Sequence, residues 1–293
     1  MLRGIHRPTR IATDAFQLHK LAMTTNASVR PAISINTLSL PPAPLSAQAD
    51  MVVRLGVTAI SPTLEGVTEA SPPCAARLLR DAGLAVATLT HRAFDFASPD
   101  QAQSARERLD ATIAIADQIC AETITLTTGG RGTLTWPEAA DRFAEAIAPC
   151  ADHARQAGVK LSLEPTSHLY ADASIAHRLM DTLALARAGG VLLGIDVFAC
   201  WFDSDIDAAI AAAGPLVALV QVSDYVSGDR GLPCRAIPGD GMARLDRLIP
   251  LIAATGFRGY YDIEVIGPRI EAEGAETGLA RAIAWLRRVI PDN

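Results

Sequence analysis

Only five cysteines occur in 293 residues, Cys74, Cys120, Cys150, Cys200 and Cys234, and none stands in a CxxC or CxxH spacing. That excludes a zinc knuckle and a disulfide-built scaffold, and leaves small buried apolar residues or inert thiols in a reducing, cytoplasmic compartment. Long apolar runs are missing too. The longest uncharged apolar stretch near the middle, Ala208 to Val220, is too short to span a bilayer and is broken by Gly214-Pro215. It reads as a helix end followed by a strand, and no membrane association is expected. No apolar segment with a small-residue cleavage site follows the early arginines, which argues against a secretory signal. Basic charge is in deficit, 26 Lys and Arg against 32 Asp and Glu, for a net −6. Residues 1 to 30 carry +4 of their own, which leaves −10 on the remainder. A body that acidic is a poor electrostatic partner for nucleic acid, whose binding draws on phosphate neutralisation by Lys and Arg.

What is present is globular material, 49% apolar and 20% charged, with enough apolar residues for a sizeable core. At ~150 residues per domain the length suggests two domains, but α/β barrels occupy ~250 residues as one unit. Residues 1–30 read as a leader, either a disordered tail or an upstream start with translation beginning at Met23. Residues 31–293 read as a single domain.

From Ala32 onward, short β-type runs alternate with longer segments of helical period, eight times over. The expected strands are Ala32 to Leu38, Thr58 to Ser61, Ala85 to Thr90, Thr123 to Thr127, Lys160 to Glu164, Val191 to Asp196, Val217 to Ser223 and Gly259 to Val265. Helices announce themselves by their ends. Pro72 to Ala82 has Ser71 as a cap and Gly83 as a stop, and Trp136 to Ala157 has Thr135 as a cap and Gly158 as a stop. Strict alternation implies parallel strands and right-handed crossovers, and roughly 33 residues per unit is the (β/α)8 TIM-barrel spacing. The open doubly wound sheet is the alternative. Against it, the loop after the first strand, Ile35-Asn36-Thr37-Leu38-Ser39, holds no GxGxxG phosphate cradle.

Barrel chemistry gathers at the C-terminal strand ends. Strand 3 ends at His91-Arg92, strand 5 at Glu164 and strand 6 at Asp196; strand 7 offers Gln221 and then Asp224, and strand 8 carries Glu264. Carboxylates on buried strands need a compensating partner. Glu164, Asp196, Gln221 and Glu264 arise from four successive strands and could meet as an all-oxygen site for one divalent cation. Mg or Mn suits such donors, and Co and Zn are compatible. The competing reading is that each acid pairs with an arginine.

The segments Leu161-Ser-Leu-Glu164-Pro, Gly194-Ile-Asp196, Leu219-Val-Gln221-Val-Ser-Asp224 with Arg235-Ala-Ile-Pro238-Gly239-Asp-Gly241, and Tyr261-Asp-Ile-Glu264 resemble the sugar phosphate isomerase/epimerase family, which has the xylose isomerase-like TIM barrel. The resemblance covers about residues 32 to 290. It implies that Glu164, Asp196, Gln221 and Glu264 bind one divalent metal, and that Glu164 and Glu264 remove and return a proton. Gln221 stands where ketose 3-epimerases have histidine and hydroxypyruvate isomerase-like members have glutamine. Arg235 resembles the residue that holds substrate oxygens; its alternative role is a salt bridge closing the loop from Tyr225 to Gly241. Many relatives carry a histidine three residues after the strand 6 aspartate, and here that position is Ala199. The departure puts sugar epimerase specificity in doubt.

These residues suit proton abstraction beside a carbonyl in a small sugar or hydroxy-carbonyl compound, with the metal as Lewis acid. Isomerisation and epimerisation both follow from that chemistry. The alternatives are a dehydratase or lyase of a keto-sugar or keto-cyclitol, and a non-catalytic sugar-binding barrel. His91 is a candidate donor to a substrate oxygen, His168 a candidate pocket residue after strand 5, and Trp201 a candidate platform for an apolar sugar face. Each of the three has an equal claim to a purely structural place. Gly239-Asp240-Gly241 and Gly267-Pro268-Arg269 could supply amides and a cation to a phosphate, but Asp240 opposes it, so an unphosphorylated substrate is preferred. The resemblance also admits a homo-oligomer.

Overall fold

The computed structural model describes residues 32–291, so the expectations for the leader lie outside the described residues. Eight parallel strands run in chain order around a closed barrel: β1 (Ala32–Asn36), β2 (Ala59–Ser61), β3 (Ala85–Val86 and Thr88–Thr90), β4 (Thr123–Leu126), β5 (Lys160–Leu163), β6 (Leu192–Asp196), β7 (Val217–Val222) and β8 (Tyr260–Ile263). β1 pairs with β8 as well as with β2. The remaining seam is stitched at Ala87, whose N–H donates to Ile60 on β2 and whose carbonyl accepts from Thr123 on β4. One expected strand is therefore present in two short pieces, with a bend that lets it serve both neighbours.

The strands are shorter than the periodicity suggests, because their last residues are already turning into loops. After β1, the Asn36 side chain accepts from the Leu38 N–H and starts a 3-10 turn over Thr37–Ser39. The helices that cover the barrel are α1 (Leu45–Arg54), α2 (Pro72–Asp81), α3 (Pro99–Gln118), α4 (Trp136–Ala157), α5 (Leu179–Gly189), α6 (Ile206–Ala213), α7 (Leu245–Ala254) and α8 (Ala275–Val289). Glu138 reaches back to the Thr135 N–H at the start of α4, and Gly158 ends that helix at φ 71°. Ser71 does not cap α2 as expected; it sits at φ 61° and its side chain makes no capping bond. Among the described residues no helix is long and apolar enough to cross a membrane.

Alternation along each strand sorts the side chains into two layers. Ile35, Ile60, Leu89, Ile124, Leu163 and Ile263 face the helices and belong to the main core. The opposite face, inside the barrel, is markedly polar: Ser34, Asn36, Ser61, Thr88, Thr125, Ser162 and Asp262 are all buried there. Polar groups out of water need partners, and several find each other across strands, as Thr88 does with Thr125 at 2.8 Å. This polar barrel interior leads upward to the carboxylates at the strand ends.

Candidate active site

At the C-terminal mouth, the fold brings Glu164, Asp196, Gln221, Glu264 and Arg235 together. The first four come from the ends of β5 to β8, and Arg235 comes from the long loop after β7. Arg235 grips Asp196 with both arms: Nη1 donates to Oδ1 at 3.0 Å and Nη2 to Oδ2 at 2.7 Å. Nη1 also donates to Ser223 Oγ at 3.0 Å, and Nη2 stands 3.6 Å from Glu264 Oε1. Gln221 Nε2 donates to Glu264 Oε2. The salt-bridge reading of Arg235 is thus what the geometry shows, with a bidentate fork on a buried carboxylate. Among the described residues, Glu164 Oε2 and Gln221 Oε1 are buried with no hydrogen-bond partner, and no three acidic, His or Cys donors form a finished metal cage. Arg235 stands between Asp196 and Glu264.

Electrostatics follow from that crowding. Burial raises Glu164 well above the usual carboxylate range, and the negative charges of Glu264 and Asp196 push it the same way. Burial likewise lifts Glu264 to about 7, against the pull of Arg235. Burial works against the charge on Arg235, but Asp196 and Glu264 together hold it firmly protonated. Two residues before Glu264 and on the same inward face, Asp262 is fully buried and accepts from Ser34 Oγ and Ser61 Oγ at 2.6 Å and from Asn36 Nδ2 at 3.1 Å. Burial still raises it to about 6. Sequence reading passed over Asp262, although the period of two places it directly below Glu264.

Asp224 was read only as a second polar group on strand 7. Its carboxylate accepts four backbone N–H groups, from Tyr225 (2.8 Å), Gly239, Gly241 and Ala243 (each 3.0 Å). An antiparallel bridge between Asp224 and Ala236 and a bond from the Arg235 N–H to the Ile266 carbonyl fix the loop beside it. Gly241 is required there, since any side chain would run into Asp224 and the Tyr225 carbonyl. Asp224 is therefore the post around which the loop folds and Arg235 is aimed. Asp224→Asn would turn an amide NH2 toward two of these donors. It is expected to destabilise the protein by about 3 kcal/mol in urea unfolding; an unchanged midpoint would contradict this role.

The other expected site residues fall elsewhere. His91 is on the outward face with Leu89, its Nδ1 2.9 Å from Thr112 Oγ1 on α3, and it does not line the cleft. Burial lowers it to about 4, so it is a neutral ring between barrel and helix. The candidate substrate contact from His91 is corrected to a packing position. His168 and Trp201 line an outer chamber of about 380 Å³, next to the inner cleft of about 210 Å³ that holds Glu164, Asp196, Arg235 and Glu264. Of the groups that could serve a phosphate, Gly239 and Gly241 donate to Asp224, and Arg269 is paired with Asp229 at 2.6 Å.

The family model described as the xylose isomerase-like TIM barrel matches residues 50–289. The chain belongs to that family. No match is found among the curated proteins. Among solved structures, a protein from Sinorhizobium meliloti 1021 is 26% identical, with TM-score 0.80, over 90% of this chain and 99% of its own. The IolI protein with a binding zinc atom aligns with TM-score 0.78 at 15% identity, covering 88% of this chain and 98% of its own. D-psicose 3-epimerase with D-tagatose from Clostridium cellulolyticum H10 aligns with TM-score 0.74 at 16% identity, over 88% and 99%. At these last two identities the likeness speaks to the barrel. The chemistry must be argued from the residues of this family member itself.

Proposed function

We propose that the protein is a divalent-metal-dependent isomerase or epimerase of a small, unphosphorylated sugar or hydroxy-carbonyl compound. The observation that carries the reading is that three carboxylates, Glu164, Asp196 and Glu264, crowd around Arg235 while Glu164 Oε2 and Gln221 Oε1 are among the buried polar atoms left without a partner. Ionised, Glu164, Asp196 and Glu264 outweigh Arg235 by two negative charges, an excess that a divalent cation would remove. All-oxygen donors suit Mg or Mn, with Co and Zn compatible. Glu164, Asp196, Gln221 and Glu264 would hold the ion, and Arg235 would give up part of its hold on Asp196. Bound there, a divalent ion supplies Lewis-acid stabilisation of negative charge developing on substrate oxygens. The zinc in IolI and the D-tagatose in the epimerase structure support both the cation and the substrate class.

Glu164 and Glu264 both line the inner cleft, and two carboxylates on one substrate can serve as a base and an acid that exchange roles. One removes the proton beside the carbonyl and the other returns it. Arg235, freed from part of its grip, offers fixed N–H donors to substrate oxygens. The spent amides of Gly239 and Gly241 favour a substrate without phosphate.

The test is solvent exchange. Incubated with MnCl2 and a panel of ketoses from triose to hexose in D2O, the protein is expected to place deuterium on a carbon beside the carbonyl, read by NMR. A product lighter by one water would replace isomerisation by dehydration, and absence of exchange across the panel would overturn the reading.

A further inference from the structure

Aromatic residues make up only 5% of this chain, yet a run of them leads out of the site. The Arg235 guanidinium lies 4.8 Å from the Phe198 ring centroid, and Phe198 meets Tyr225 edge-on at 6.2 Å. Tyr225 and Trp201 stack at 5.7 Å with 24° between their planes, and Trp201 meets Phe202 at 5.9 Å. The run begins on the polar floor and ends at Phe202, which is 57% exposed.

The two chambers follow the same path. Ser167, Phe198, Ala199 and Leu232 line both, so the cleft over the carboxylates and the outer chamber adjoin. Ala199 lies between the two with only a methyl group, where a larger side chain would take up space in both. The inner cleft alone is smaller than a common ligand pocket of ~300–1,000 Å³, whereas the two together fall within that range. The outer walls offer little to a hydroxylated tail. Tyr225 Oη donates to the Asp229 carbonyl at 2.7 Å, and the Asp229 carboxylate is held by Arg269, which leaves Ser167, His168, Arg230 and the Trp201 indole N–H as polar side-chain groups there.

We infer that the substrate is amphipathic: a hydroxy-carbonyl head on the inner carboxylates and Arg235, and a planar apolar substituent, aryl or cyclic, against Trp201 and Phe202 in the outer chamber. The head rests on the proposed function; the tail rests on the aromatic run and the shared chamber. Phe202 is exposed and Trp201 only partly buried, so both gain burial when an apolar group arrives.

The probes are hydroxyacetone and 2-hydroxyacetophenone, which share a head and differ in methyl against phenyl. Each is titrated calorimetrically into the full chain, with MnCl2 and with chelator. The phenyl probe is expected to bind roughly tenfold tighter or better. That advantage is expected to shrink in Phe202→Ser and in Trp201→Ala, with folding of each variant checked by circular dichroism. The exposed Phe202 keeps the test usable should Trp201→Ala fail to fold. Equal affinity of the two probes, including no measurable binding of either, overturns the inference, as does an advantage that survives in Phe202→Ser. So does a chain that self-associates, becomes monomeric on Phe202→Ser and shows no phenyl preference. A phenyl advantage without any Mn binding supports this inference while refuting the metal reading, and Mn binding without a phenyl advantage does the reverse.

Discussion

Arg235→Met is expected to lower the stability of the chelated protein by about 3–5 kcal/mol at pH 8, the usual cost of stranding a buried charge. Asp196 and Glu264, whose side chains are 5% and 9% exposed, both lose the cation beside them, and methionine fills comparable space without replacing it. The loss has a definite pH dependence. Glu264 and Asp262 titrate above their ordinary values in the folded protein, so between about pH 4 and 7 the native state binds more protons than the unfolded chain and stability falls as pH rises. Without Arg235 the carboxylates resist ionisation further, and the deficit of the variant widens on going from pH 5 to pH 8. MnCl2 is expected to recover much of the loss. Urea midpoints at the two pH values, with chelator and with MnCl2, check each part; a variant as stable as the parent in chelator at pH 8 would show that Arg235 does not neutralise these acids.

Glu264→Gln separates stability from chemistry in the opposite direction. The amide keeps the shape, keeps an oxygen to accept from Gln221 Nε2, and removes one of three crowded negative charges, which outweighs turning its NH2 toward Arg235 Nη2 across 3.6 Å. The chelated variant is therefore expected to be as stable as the parent or more so, while exchange of the substrate proton falls by about 10²–10⁴-fold, the range of a lost general acid or base. Melting temperature and the initial rate of deuterium incorporation are read on the same preparation. Full activity in Glu264→Gln would remove Glu264 from the reaction.

Much of this was legible beforehand, for reasons that can be named. Strands with period two, helices bounded by Gly83 and Gly158, and acids at the ends of β5, β6 and β8 are all local patterns, and local patterns suffice to order a barrel. His91 takes the structural one of its two places for a local reason too: two residues after Leu89, it shares that residue's outward face and meets Thr112 on α3. Other features depend on distant segments meeting. Ser34, Asn36 and Ser61 surround Asp262 only because β8 closes against β1 with β2 alongside. The fork of Arg235 on Asp196 depends on a loop folded around Asp224, and no spacing in the sequence encodes that approach. The aromatic run from Phe198 to Phe202 is half visible as Phe198-Ala-Cys-Trp201-Phe202, but its link through Tyr225 joins two different loops.

Glu164, Asp196, Gln221 and Glu264 are proposed to hold a single divalent cation. Calorimetric titration of MnCl2 into the metal-free chain tests it most directly, alongside Glu164→Gln/Glu264→Gln as the comparison. One ion per chain is expected, with a stabilisation of about 2.7 kcal/mol at a hundredfold excess over Kd, and loss of both effects in the double variant. No heat and no stabilisation in the parent chain, or unaltered binding in the double variant, would contradict it.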